Sequence, residues 1–439
     1  MILHQARECY EQLSTFRRKR NRCRDYTYGR QWNDPIEVNG RCITEYEYII
    51  SEGNVPLKNN LIRRIVRNVL GVFRQRLPEI MNQEYQGPLE SVALSNSLEE
   101  LFCRSMEEFL ISGMVIHRKR LGYHGSDHGI WTESVSPGSF FFNTDSRDIR
   151  GWDLNLAGQL HKVDYNDWCR AFVSTPQDLL KARSLFENGV KHVTVWEVWR
   201  REMVPCNIVH DTQQGKVVRL DVGSPLPDPL KDMPHKWTMT EVWRYYFLTD
   251  DGTVLLEGDS PYLHGSHPYI IKSYPYLEGE IHSFVADMID QQRYTNRLVT
   301  LYDWVIRASA KGVLLIPEGS VDPRNLHSVS DQWGRFNGVI LYKAKPGNPE
   351  PRQISGNLSN LGISELLEIQ LKMMEDVSGV NGILQGNTSG GNVSGTLYNS
   401  QTTNALYSLS DLMETFRTFI RENASADRIL LRQCHGKEC

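Results

Sequence analysis

Residues 281–311 read IHSFVADMIDQQRYTNRLVTLYDWVIRASAK. After Gly279 the stretch holds no proline and no glycine. Apolar side chains recur at helical spacing: Ile281, Phe284, Val285, Met288, Ile289, Leu298, Val299, Tyr302, Val305 and Ile306. The spacing predicts one continuous helix, which at 1.5 Å per residue would be a rod of about 46 Å, well over twice the usual globular helix. A polar patch, Gln291–Arg297, interrupts the apolar stripe. A rod of this length spans something or packs against copies of itself.

Downstream, residues 312–356 read as a compact module of strands and turns. Gly312–Pro317 and Gly338–Tyr342 are its two apolar strands, and Pro346, Pro349 and Pro351 close it. A helix over 359–378 follows, with Leu361, Leu366, Leu367, Leu371, Met374 and Val377 as its packed positions. Next comes a Gly-rich run to residue 395 that lacks proline and should be mobile. The last helix is expected over 396–424, carrying Leu397, Leu406, Leu409, Leu412, Met413, Phe416 and Ile420.

Upstream, residues 130–275 are rich in Val, Thr, Trp, Tyr and Phe with frequent turns. Thr240–Leu248, Asp250-Asp251-Gly252 and Thr253–Glu257 read as a β-hairpin, because Asp-Gly accepts the positive φ of a tight turn. Residues 223–235 carry four prolines and read as a loop. The tryptophans at 152, 168, 196, 199, 237 and 243 are irregularly spaced, which fits core and rim packing better than a stacking face. Helices are expected over 56–76, ended by Pro78, and over 94–116. Residues 1–30 hold eight basic and three acidic side chains. Their cluster Arg17–Arg24 is either the solvated face of a helix or a phosphate-facing patch.

The chain has 439 residues, 49 Lys plus Arg against 53 Asp plus Glu, and a net charge of −4, which excludes a histone-like protein. A 10% aromatic content argues against wholesale disorder. No apolar run approaches a membrane span, and Met1–Glu8 lacks the apolar core of a signal peptide. Eight cysteines without a CxxC pair are expected to be free thiols.

Catalytic and cofactor signatures are absent. Residues 379–400 contain no Lys or Arg, so the Gly-rich run is no Walker loop. There is no GxGxxG and no Gly-x-Ser-x-Gly elbow. His124 and His128 flank a glycine-containing turn, as do His264 and His267, and neither pair is expected to bind metal. No cofactor is expected, and no spacing of carboxylates singles out a nuclease site.

The order of parts resembles the portal proteins of tailed bacteriophages. The stretches that carry it are Ser283–Arg297, His267–Pro275, Val377-Ser378-Gly379-Val380-Asn381, Val393-Ser394-Gly395-Thr396, Gly29-Arg30-Gln31-Trp32 and Asn59–Val66. The resemblance covers residues 25–425 through motifs that are individually diffuse. It implies an α+β, multidomain, non-enzymatic subunit. Residues 1–278 would form the wing, 279–311 the first stem helix, 312–356 the clip, 357–378 the second stem helix and 379–395 the tunnel loop. Residues 396–439 would form a long wing helix and minimal crown, with no C-terminal barrel. Phe284, Met288, Ile289, Leu298, Tyr302 and Ile306 would pack the stem. Gln385, Asn387, Thr388, Ser389, Asn392 and Ser394 would line the channel. Asp322, Arg324, Asp331, Trp333 and Arg335 would meet the terminase large subunit and then a tail adaptor protein.

The same resemblance implies a twelve-fold ring at the portal vertex of a virion, built in the host cytoplasm beside the major capsid protein and passing double-stranded DNA. The charge pattern suits a conduit, since each fixed cation on a phosphate is a salt-sensitive trap. Residues 357–424 hold Lys372, Arg417 and Arg421 against Glu365, Glu368, Glu375, Asp376, Asp411, Glu414 and Glu422, a net of −4. Two other readings compete: an enzyme on nucleic acid or carbohydrate using the Trp-rich region, and a different virion structural protein. Imperfect heptads across Gln291–Arg297 disfavour the coiled coil that the last would need.

Overall fold

The computed structural model describes the chain except residues 125–126, 212–215, 222–234, 278, 312, 317–323, 325–326, 330–351, 355–361, 381–406 and 436–439. It mixes helix and sheet, consistent with an α+β chain. The helices are α1 (Ile2–Gln12), α2 (Ser14–Thr27), α3 (Glu45–Ser51), α4 (Leu61–Glu84), α5 (Pro88–Ser95), α6 (Leu98–Ser112), α7 (Tyr165–Phe172), α8 (Pro176–Leu185), α9 (Ile289–Lys311), α10 (Ile363–Ser378) and α11 (Ser410–His435). The strands are β1 (Pro35–Val38), β2 (Arg41–Thr44), β3 (Met114–His124), β4 (Asp127–Ser134), β5 (Phe140–Phe142), β6 (Leu156–Val163), β7 (Val193–Asp211), β8 (Lys216–Asp221), β9 (His235–Thr249), β10 (Val254–Asp259), β11 (Tyr269–Ser273), β12 (Tyr276–Leu277), β13 (Glu280–Ile281), β14 (Val313–Leu315) and β15 (Arg352–Ile354). The chain forms two compact units. One comprises Met1–Arg24, Ile65–Asp287 and Gly382–Cys439; the other comprises Asp25–Arg64 and Met288–Asn381.

The first unit is built on a sheet ordered β10-β9-β7-β6-β5, with β8 also on β7. The 19-residue β7 is its spine. Its side chains alternate as a strand requires. Trp196 and Val198 pack with Phe141 and Leu248 on one face. Trp199 on the other joins Phe140, Trp243 and Tyr269. Glu197 lies between them, fully buried. Its carboxylate accepts from Arg118 at 3.0 Å, His161 at 2.7 Å and the Trp199 indole at 2.8 Å. Burial alone would raise its pKa; the Arg118 charge and the His161 bond overcome that and hold it near 2.

The second sheet of this unit runs β11-β3-β4, and α11 packs against it. Two buried polar contacts fix the register. Lys119 Nζ donates to Asp427 at 2.7 Å and to Thr132 at 2.8 Å, and Tyr85 donates to the same Asp427 oxygen at 3.1 Å. Lys119 and Asp427 are both within 2% of full burial. Beside them His117 is fully buried, 2.9 Å from Asn423 Oδ1 and 2.7 Å from the Ser105 hydroxyl. Asn423 gives its own amide to Phe419 O, so its oxygen accepts from Nδ1–H of a neutral imidazole.

Several elements end elsewhere than the sequence pattern predicts. The helix expected over 281–311 starts at Ile289. Ile281 belongs to the β12–β13 hairpin, and the Ser283 hydroxyl accepts from Val285 and Ala286 at 3.1 and 3.2 Å, closing a short turn first. Phe284 is therefore not on the rod. Pro78 lies inside α4 instead of ending it: Leu77 and Met81 are buried on either side, and their packing outweighs the roughly 3 kcal/mol of an interior proline. The helix expected over 94–116 is two helices and the start of β3. Asn96 turns its side chain away to bond Ile130 O and Thr132 N, which separates α5 from α6. At Gly113 the chain is left-handed (φ 76°), and a Cβ there would stand 1.7 Å from His282 O.

The last helix runs on to His435 and not to 424, because Asn423 and Asp427, polar and unlike core positions in sequence, are buried by the contacts above. Arg20, expected on a solvated face or phosphate patch, is buried in a bidentate pair with Glu108 at 2.6 and 2.9 Å. The β9–β10 hairpin is as expected, with Gly252 at φ 91°. Trp168, Trp196, Trp199 and Trp243 are core residues, while Trp152 and Trp237 are exposed. Strand β14 pairs with β15; the strand expected over 338–342 lies outside the described residues, as does most of the proline loop.

Asp427→Asn leaves the Lys119 charge buried without its partner and should cost about 3–5 kcal/mol, whereas Lys119→Met with Asp427→Leu should recover most of that loss. Denaturant unfolding of the three proteins decides this, and a double variant no better than the single would refute it. Acid should destabilise the same unit. Burial, then the Lys119 charge, pull His117 down from 6.5 to about 3. A depressed folded-state pKa means full stabilisation above 6.5, lost as pH falls towards 3. His117→Gln should flatten stability against pH between about 6.5 and 4.5, with His267, held near 4 by burial, and His264, also lowered by burial, contributing to the slope that remains.

Candidate functional site

In the second unit α9 and α10 pack together through Leu298, Val305 and Ile363. The polar patch that interrupts the α9 stripe serves a different purpose from solvation. Gln292, Thr295 and Asn296 are all fully buried. The first N–H groups of a helix have no partner within it, and α4 begins at Leu61. Gln292 Oε1 accepts from Leu61 N at 2.9 Å and Ile62 N at 3.1 Å. Its Nε2 donates to Asn59 O at 2.7 Å and Asn296 Oδ1 at 3.0 Å. Asn296 in turn donates to Gln31 Oε1 at 2.7 Å and accepts from Asn59 N at 3.2 Å. One turn further, the Thr300 hydroxyl accepts from Leu57 N at 3.1 Å. Positions 292, 296 and 300 share one helix face, so this face binds the 57–62 backbone as a ladder.

Asn60 completes the cap by accepting from Arg63 N at 3.0 Å while donating to Thr27 O at 2.9 Å. On the neighbouring face of α9, Arg293 grips the nearly buried Glu45 at 2.7 and 3.1 Å, and Arg297 bonds the same carboxylate. These bonds raise the Arg293 pKa in spite of burial. Glu45 itself opens α3, behind a capping box formed by Thr44 and Glu47.

The expected stem residues divide. Met288, Ile289 and Leu298 are buried. Tyr302 and Ile306 are exposed by 43% and 49%, and Phe284 belongs to the first unit, half-buried. Helix α10 begins at Ile363 and ends at Gly379 in the left-handed conformation. Met374 is buried, but Leu366, Leu371 and Val377, predicted as packed, are exposed. The channel candidates Gln385, Asn387, Thr388, Ser389, Asn392 and Ser394 lie outside the described residues, as do Asp322, Asp331, Trp333 and Arg335. Arg324 is exposed. Gln31, Asn59 and Asn60 lie in stretches that carry the resemblance, but the sequence reading gave them no role, and Glu45 escaped it. The signal for the role of all four was a polar patch, Gln291–Arg297, on the apolar stripe of α9.

Among the described residues no three His, Cys, Asp or Glu side chains converge as a metal site, and no helix is long and apolar enough to cross a membrane. His264 stacks on Tyr262, and His128 meets the Tyr123 ring edge-on. Gln292→Ala should leave two amide groups at the start of α4 without acceptors, at about 1–3 kcal/mol each. Hydrogen exchange at residues 57–63 should accelerate more than in β7, and equal protection there would refute the cap.

No curated protein matches this chain. The phage P22-like portal family does match, over residues 3–426, and its members are structural components of the phage particle. A match that takes in the whole of the second unit, and all of the first but residues 1–2 and 427–439, places the chain in the P22-like portal protein family.

Proposed function

We propose that the chain is one subunit of a closed ring, of twelve copies, that occupies one capsid vertex and passes double-stranded DNA inward during packaging and outward during ejection. The observation that carries this reading is the family match across 3–426. In it, residues 1–278 and 396–439 serve as wing and minimal crown, α9 and α10 as the stem, 312–356 as the clip and 379–395 as the tunnel loop. The clip, with Asp322, Arg324, Asp331, Trp333 and Arg335, docks the terminase large subunit and later a tail adaptor, and the wing meets the major capsid protein.

Two properties support the reading. The α9–α10 pair leaves Leu301, Tyr302, Trp304, Ile306, Ile369 and Met373 exposed, a cost in water that a neighbouring copy would remove. Helix α10 carries four acids and one base, and the following Gly-rich run carries no cation, so neither would hold phosphate.

Mass photometry and negative-stain imaging of the purified chain should show rings with a central bore; a lone monomer at every concentration would overturn the assignment. Gly390→Pro combined with Gly391→Pro should leave rings intact and cut DNA packaging or retention by at least tenfold in an in-vitro packaging assay. Failure of the rings themselves to form would refute the loop's assignment to the channel.

A further inference from the structure

Helix α2 carries a run of charge that has no part in the proposed channel. Ser14–Arg24 holds Arg17, Arg18, Lys19, Arg20, Arg22 and Arg24 with no acid, in a chain whose remainder has a net of −10. Its inner flank is fixed. Phe16 packs on the core of Phe140 and Trp199, Cys23 is buried, and Arg20 is buried against Glu108. Arg17 lies 3.5 Å from the centre of the Tyr10 ring. Arg18, Lys19, Asn21 and Arg24 face outward and are exposed. Among the described residues Arg18, Lys19 and Arg24 form no ion pair, and Arg18 reaches only the Thr15 hydroxyl, at 3.3 Å. A helix face that is merely solvated mixes its charges, because like charges three and four residues apart repel. Elsewhere the chain does so: Arg104 pairs with Glu100 on α6, Arg170 with Asp167 on α7, Lys181 with Asp178 on α8 and Arg417 with Glu414 on α11. On α4, the other arginine-rich helix, Arg63 stacks on Tyr28 and Arg74 pairs with Glu100. On α2 Arg18 and Arg22 stand at i,i+4 and Lys19 and Arg22 at i,i+3, with no acid among them. An external anion relieves such self-repulsion.

We infer that the outward flank of α2 holds the phosphate backbone of duplex DNA; this rests on the ring reading above, which makes duplex DNA the anion at hand. Arg17, Asn21 and Arg24 recur at i, i+4 and i+7, and Arg18 lies one turn before Asn21. They line about 10 Å of helix, the axial length over which a duplex presents roughly six phosphates. Guanidinium forks and an amide bond phosphate oxygens without reading bases. The exposed positions of α2 include no aromatic ring on which unpaired bases could stack, which favours duplex over single strand. Its apolar flank is taken up by the core, so nothing remains to enter a membrane. Because Arg20 and Glu108 set the helix in place beforehand, little ordering is lost on binding. The segments proposed for the channel carry acids and amides while α2 carries cations, so passing DNA and holding it fall to different surfaces.

The test uses the full-length chain and a fluorescein-labelled duplex, with binding read by anisotropy across a salt series. Log K should fall against log salt with a slope of about −3.6, which is −0.9 for each of four phosphate contacts. Arg18→Gln with Lys19→Gln and Arg24→Gln should weaken binding at least tenfold at low salt and flatten the slope by about 2.7. Lys181→Gln with Arg183→Gln and Lys191→Gln removes the same charge from α8 and the segment before β7, and should leave affinity and slope unchanged. Equal losses in the two triple variants, or none in either, overturn the site. So does a single strand bound as tightly as the duplex, or binding to phosphatidylserine vesicles in place of it. Should the α2 variant unfold by circular dichroism, acetylation of the native chain decides. Duplex should protect Lys19 at least threefold more than Lys181, and equal protection refutes the site. Native rings whose duplex affinity does not depend on α2 overturn the site and leave the ring reading standing. A native chain without rings overturns that reading, and the salt slope still decides α2.

Discussion

The side-chain amide of Gln292 is the contact on which the second unit depends. A helix start buried away from water must find acceptors for its first amide groups, since an unsatisfied buried donor costs about as much as several good surface contacts contribute. Helix α4 begins beneath α9, and Gln292 answers two of those groups at once while Asn59 and Asn296 use its remaining donors. The geometry admits little else. Glutamate would lose the donor to Asn59 O, leucine would lose everything, and asparagine is one methylene short. The chain from 57 to 62 is thereby fixed along α9 to within hydrogen-bond tolerance, and with it the position of α3, through Glu45 and the two arginines.

The first unit follows the same rule with charge in place of amides. Lys119, Asp427, Glu197 and Arg118 sit where ionised groups are costly, and each is stabilised by an oppositely charged partner, although Asp427 Oδ1 and Arg118 Nε have no hydrogen bond. Such groups add less stability than apolar residues of equal volume would. What they supply is register. Leu430, Phe416 and Phe419 could slide along the sheet by one turn with modest loss of contact. Lys119 and Asp427 cannot, because a slip of one turn leaves two buried charges unpaired.

This explains where the sequence was legible and where it was not. Period-two and period-3.6 patterns mark the β9–β10 hairpin and the body of α4 and α9, because there the apolar face and the buried face coincide. They fail where a buried face is polar. Asn423 and Asp427 are polar, so no apolar pattern carries the last helix to His435, eleven residues past its expected end; Gln292 and Asn296 read as an interruption. They fail also where a turn is closed by one hydroxyl, as at Ser283, which looks like an ordinary member of a helix until its acceptors and donors are counted. The opposite error occurs on α10: Leu366 and Val377 fit a core stripe perfectly well by spacing, yet lie open. A spacing rule says that residues share a face and is silent on whether their own chain covers it.

That silence is itself informative about assembly. A subunit that folded to bury every apolar stripe would have nothing to offer a neighbour. One that exposed a single self-complementary stripe would make a dimer and stop. Closing a ring needs two different exposed surfaces held at a fixed mutual angle, and an error of a few degrees in that angle changes the number of copies. Loop-borne surfaces could not hold it. Here the exposed α10 stripe lies on a helix that packs against α9, and α9 is in turn locked to residues 31–62 by Gln292, Asn296, Arg293 and Arg297. The satisfied polar ladder and the exposed apolar stripe are then parts of one compact unit, the first holding in place the helix pair that bears the second.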